Sequence, residues 1–168
     1  LAKGTEGLVI KNVNASYKAG RYVGGWLKLK KILEPLDLVI IGATYGEGRR
    51  AGFLSSYVVA CKSGNRLLEC GMVSTGVKEK SEEGVTYEKM TKLLKPLIIK
   101  QEGNFVKLKP KIVIEVGYEE IQKSPSYSSG YALRFPRFLH LRMEEKSVND
   151  INTLKDMEKI YNMQRGRK

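Results

Sequence analysis

Past Pro35 the chain runs through a succession of patterns, and that succession limits its fold more than any other feature. DLVIIGATY (37–45) is a nearly unbroken apolar run, the pattern of a buried strand. FLSSYVVACK (53–62) and RLLECGMVST (66–75) follow, separated by Ser63, Gly64 and Asn65, the chemistry of a hairpin turn. The period then changes over roughly Glu82 to Lys95: Met90, Leu93, Leu94 and Leu97 keep helical spacing, and Pro96 marks the end. Two more strands, KIVIEVGYEEIQ (111–122) and YALRFPRFLHLR (131–142), complete the series. Three strands, a helix and two strands is the order of an OB-fold barrel, and a simple α+β sandwich would satisfy it too. The predicted class is therefore mainly β with some α. A C-terminal helix is expected over 148–163, where Ile151, Leu154, Met157, Ile160 and Tyr161 share one face.

Ahead of Pro35 lie two shorter runs, GLVIKN (7–12) and WLKLKK (26–31), joined by a Gly-rich connection. A boundary or hinge is placed near Leu33 to Asp37, giving residues 1–34 and 35–168 as two units. A strand's side-chain period of two puts Trp26, Lys28 and Lys30 on one face and Leu27 and Leu29 on the other. Two ammonium groups side by side repel unless solvent or a bound anion compensates. A phosphate would suit them, because lysine presents a mobile point charge to phosphate oxygens. A solvated face remains the other reading of the strand.

Thirty Lys and Arg against eighteen Asp and Glu give a net charge of +12, which favours a polyanionic partner such as nucleic acid. With 42% hydrophobic and 29% charged residues the chain is expected to be globular rather than disordered. No apolar run approaches the ~20 residues that cross a bilayer, so no membrane partner is expected. The start lacks a secretory pattern and an initiating methionine, the look of a piece cut from a longer protein or of N-terminal processing. Cys61 and Cys70 form no CxxC pair and sit in apolar surroundings, as buried reduced thiols do; a cytoplasmic location follows.

Two further clusters bear on chemistry. Glu6 and Gly7 open the first strand, with a carboxylate beside a position that allows close approach. In LRFPRFLHLR, Arg134, Arg137 and Arg142 stand among apolar residues that orient guanidinium groups, as a phosphate or carboxylate clamp requires. Pro136 breaks the alternation there, and His140 reads as an edge residue rather than a base. Tyr127, Ser128, Ser129 and Gly130 form a polar loop that could also meet a sugar–phosphate backbone.

Taken in order, EGLVIKN, SYKAGRYVGGWLKLKK, DLVIIGATYGEGRRAG and EIQKSPSYSSGYALRFPRF resemble the C-terminal half of ATP-dependent DNA ligases. The likeness is strongest to the archaeal members, relatives of the eukaryotic replicative ligases, and runs over nearly the whole chain. It implies that residues 1–34 end an adenylation domain and residues 35–168 form an OB domain. It implies ATP and Mg²⁺ as cofactors, with Glu6 helping to hold the metal. Lys28 and Lys30 would contact the α-phosphate of ATP or AMP. Arg134 and Arg137 would orient the β- and γ-phosphates so that pyrophosphate leaves in line. The implied partners are nicked duplex DNA and, through upstream sequence, a sliding clamp; a monomer is expected.

Two departures stand out. The K-x-D-G motif, whose lysine becomes adenylylated in the family, is absent, so the chain alone is expected not to ligate. Where the family often has R-x-D-K, this chain has RMEEK, which leaves Arg142 and Lys146 without a role carried over. An mRNA capping guanylyltransferase fragment and a non-catalytic nucleic-acid-binding OB module are the alternative readings.

Overall fold

The computed structural model describes residues 7–20, 25–30, 33–80 and 84–164. Strands β1 (Gly7–Lys11) and β2 (Trp26–Lys30) pair antiparallel as a two-stranded ribbon that shares no strand pairing with the rest. Gly7 faces Lys30 there, and a Cβ on it would run into the Leu29 carbonyl oxygen, so only glycine lets the two backbones approach this closely.

The larger sheet is built on β3 (Leu36–Tyr45). One of its edges pairs with β4 (Leu54–Ser63), which pairs in turn with β5 (Arg66–Val73). Helix α1 (Tyr87–Leu94) follows β5 and closes with a 3₁₀ turn, Lys95–Leu97. Next come the hairpin β6 (Ile98–Glu102) and β7 (Phe105–Leu108), then β8 (Val113–Gly117). The other edge of β3 is shared: its first half pairs with β8 and its second half with β7. β9 (Glu120–Lys123) and β10 (Tyr131–Arg134) form a separate pair, β11 (Arg137–Leu141) returns to β8, and α2 (Leu154–Met163) ends the described chain.

The sheet curls until its terminal strands meet. The Phe138 N–H donates to the Thr75 carbonyl at 2.8 Å, just past β5, and Gly76 lies against the Phe138 backbone at φ +97°. Inside the curl lie Leu36, Leu38, Ile40, Tyr57, Val59, Met90, Leu94, Ile114, Ile121 and Met157, all fully buried. On the outer face of β3, Val39 packs with Ala60, Val113 and Ile151. Both faces of β3 are thus covered, which is why its sequence is an apolar run and not an alternation.

The order departs from three strands, a helix and two strands. Among the described residues six strands follow α1, for two physical reasons. The β6–β7 hairpin has an outer strand exposed along most of its length, so β6 carries no burial pattern to read. Each of the two long runs is also broken in two. Residues 111–122 divide at Tyr118 and Glu119, where the chain leaves the large sheet and joins β10. Residues 131–142 divide at Phe135 and Pro136, where Phe135 takes φ +50° and Pro136 has no N–H to continue a ladder.

The helices also start later than expected. α1 begins at Tyr87 because the Thr86 hydroxyl caps it, accepting from the Lys89 N–H; Glu82 lies outside the described residues. α2 begins at Leu154, behind a capping box of Thr153 and Asp156, so Ile151 belongs to the preceding turn. No helix among the described residues is long and apolar enough to cross a membrane.

Candidate functional site

Lys28 and Lys30 lie on the ribbon face that also carries Trp26, with Val9 and Gly7 as their cross-strand partners. At the far end of that face the Lys11 ammonium sits 4.1 Å from the Trp26 ring centroid. The opposite face, with Leu8, Ile10, Leu27 and Leu29, is more than half exposed in this chain.

Across from the ribbon is the break between β8 and β9. Lys30 Nζ donates to Glu119 Oε2 in a short, charge-assisted hydrogen bond. The Glu119 backbone N–H donates to the Arg134 carbonyl at 3.0 Å, so β10 holds this turn in place. The hydrogen bond from Lys30 holds the Glu119 carboxyl below its ordinary range, and the charges of Lys30, Lys28 and Arg134 act in the same direction. Lys30 on the ribbon therefore contacts Glu119 directly, and the positive charges of Lys28 and Arg134 also act on this carboxylate.

Arg134 is itself oriented from two sides. Glu120, its register partner and nearly buried, places Oε2 3.6 Å from Nη1, while the guanidinium lies 5.2 Å from the Phe135 ring centroid. Arg137 starts the next strand opposite Gly117, with its guanidinium against the glycine where a Cβ would stand (3.2 Å to Nε). The Phe135–Pro136 kink separates the two arginines and leaves Phe135 63% exposed between them.

Other predicted features fall elsewhere. Arg142 and Lys146 converge on Asp37 at the start of β3, by an ion pair at 3.4 Å and a hydrogen bond at 2.6 Å. They tie the 142–146 turn to the sheet. His140 is exposed on β11, 3.7 Å from Glu115. The 127–130 loop is seated on β5: Ser128 Oγ accepts from the Glu69 N–H, and the Ser129 N–H donates to the Glu69 carbonyl. Cys61 and Cys70 are buried free thiols.

Glu6 lies outside the described residues. Among those described, no three His, Cys, Asp or Glu come together as a metal site. The four cations supply what phosphate oxygens need, namely positive charge and donors on rigid strands. Sequence reasoning passed over Glu119 and Glu120, which were absorbed into one continuous strand. The usable signal was two consecutive carboxylates in a strongly basic chain.

A family model described as the ATP dependent DNA ligase C terminal region matches residues 50–145. The DNA ligase of Nanoarchaeum equitans is 54% identical over 99% of this chain and 30% of its own length. That of Methanothrix thermoacetophila is 47% identical over the same shares, 99% and 30%. The chain thus spans about 30% of the length of these curated relatives. Among solved structures, the ligase domain of M. tuberculosis LigD aligns with a TM-score of 0.57 at 24% identity, covering 87% of this chain and 47% of that one. Mycobacterial DNA ligase D complexed with ATP and MES aligns at 0.52 and 23%, covering 85% and 45%. At these identities the two solved structures speak to fold alone.

Proposed function

Because the chain belongs to the family of ATP-dependent DNA ligase C-terminal regions, we propose that it is the phosphate-handling and DNA-facing part of a ligase that seals nicks in duplex DNA. In this reading residues 1–34 end the adenylation domain and residues 35–168 are the OB domain. The isolated β1–β2 ribbon and the curled sheet that follows it support the division.

The reaction is three attacks at phosphorus. An enzyme lysine takes AMP from ATP, the AMP passes to the 5′-phosphate at the nick, and the 3′-hydroxyl displaces it. Positioning and charge stabilisation dominate such steps. Lys28 and Lys30 offset charge developing on the α-phosphoryl group, with strand pairing holding their backbone positions on one face of the ribbon. Arg134, held by Glu120, and Arg137 orient the β- and γ-phosphates so that pyrophosphate departs opposite the attacking lysine. Glu6 is the proposed carboxylate for Mg²⁺, which when bound supplies further positive charge at the phosphate oxygens. The lysine that carries AMP belongs to sequence outside this chain, so the chain alone does not ligate.

One observation carries this reading: Lys30 on the ribbon reaches Glu119, whose backbone is bonded to Arg134, so segments carrying cations from opposite ends of the sequence are brought side by side. Self-adenylylation of the full-length polypeptide with labelled ATP tests it. Arg134→Ala should slow AMP transfer by about 10²-fold with ATP binding retained. An unchanged transfer rate would remove Arg134 from the step.

A further inference from the structure

Glu119 is the group that Lys30 meets, and the reaction gives it no part. Its position is particular. It ends the turn after β8, its backbone is pinned to the Arg134 carbonyl, and its side chain reaches the ribbon instead of solvent alone. The neighbouring Glu120 instead contacts Arg134 and Gln122. The two carboxylates therefore do different work: Glu120 braces an arginine, and Glu119 meets the lysine assigned to phosphate.

A carboxylate offers a cation what a phosphate edge offers, two oxygens sharing a negative charge. Building on the phosphate-clamp reading of Lys28, Lys30 and Arg134, we propose that Glu119 is an internal stand-in for phosphate. Its carboxylate takes the anion seat when no nucleotide is bound and is displaced when phosphates arrive. It offsets the repulsion among gathered cations in the empty site. It also sets a threshold: a multiply charged phosphate chain outcompetes one tethered carboxylate, whereas a singly charged anion does not. Glu119 is ionised at neutral pH, as a glutamate ordinarily is, and the Lys30 hydrogen bond holds its carboxyl lower still.

The probe is inorganic pyrophosphate, titrated by calorimetry at low salt into this chain and its variants. Glu119→Gln should bind pyrophosphate about fivefold tighter than the unsubstituted chain, the size expected for removing one exposed ion-pair competitor. Glu102→Gln, which removes an exposed acid paired with Lys100 on β6, controls for net charge and should change little. Adding Lys30→Met to Glu119→Gln should abolish the gain. If Glu119→Gln binds no tighter, or if Glu102→Gln gives the same gain, the proposal is overturned. If Lys30→Met weakens binding while Glu119→Gln does nothing, only the Glu119 role falls. If Lys30→Met leaves pyrophosphate affinity unchanged in both backgrounds, the clamp reading falls with it.

Discussion

Tyr118, Glu119 and Glu120 are consecutive, yet each meets a different environment at the junction of ribbon and sheet. Tyr118 is 4% exposed, and its hydroxyl has no hydrogen-bond partner among the described residues. Burial, and then the charge of Glu34, push its pKa up to about 12. A raised pKa means the folded state prefers the neutral phenol. Its contribution to stability is therefore complete below the unfolded value near 10 and is lost as pH rises towards about 12. Thermal midpoints measured across that window should fall steeply for the unsubstituted chain and less steeply for Tyr118→Phe. Removing an unsatisfied buried hydroxyl should also raise stability at neutral pH by about 1 kcal/mol. Some alkaline decline will persist through Tyr57, whose buried hydroxyl donates to the Leu54 carbonyl and whose pKa is also raised. Equal slopes for the two proteins would rule out the Tyr118 assignment.

Among the elements, α2 shows how local chemistry fixes a boundary that periodicity misplaces. Ile151, Leu154 and Met157 fit one helical face on paper, but Thr153 and Asp156 cap the chain between them. The Thr153 N–H donates to Asp156 Oδ2 at 2.7 Å, and the Asp156 N–H returns a bond to Thr153 Oγ1 at 3.2 Å. Met157 then enters the main core, and Gln164 exchanges hydrogen bonds with both backbone groups of Ile121. Thr153→Ala should cost about 1 kcal/mol, read as a lower urea midpoint with an unchanged slope. No change would mean that packing alone sets this helix. The strands most legible in sequence were β3 and β4, with strong burial patterns, and β5, marked by the hairpin turn before it. The hairpin β6–β7 was not legible, because Lys100, Gln101 and Glu102 face solvent and only Val106 and Leu108 are buried. The breaks at 118–119 and 135–136 were hidden because strand-forming residues continue across them; a change of partner strand leaves no mark in composition. Lys28, Lys30, Arg134 and Arg137 stand out in the sequence through their motifs, and their proposed roles rest on that resemblance. The contact between Lys30 and Glu119 does not stand out, since contacts between distant segments have no local signature.

At the scale of the molecule, the two-stranded ribbon that carries Lys28 and Lys30 meets, through Lys30 and Glu119, the turn between β8 and β9. RMEEK, which breaks the expected pattern, serves the sheet itself: Arg142 and Lys146 hold Asp37 at the point where the chain enters β3. The central claim of the proposed function is that transfer at the α-phosphate depends on Lys28 and Lys30. The direct measurement uses the full-length protein, adenylylated beforehand and mixed with nicked duplex in a single turnover. Lys30→Ala should seal the nick at least 10²-fold more slowly than the unsubstituted enzyme, and Lys28→Ala similarly, although AMP is already in place. Sealing at the normal rate by either pre-adenylylated variant would contradict the account.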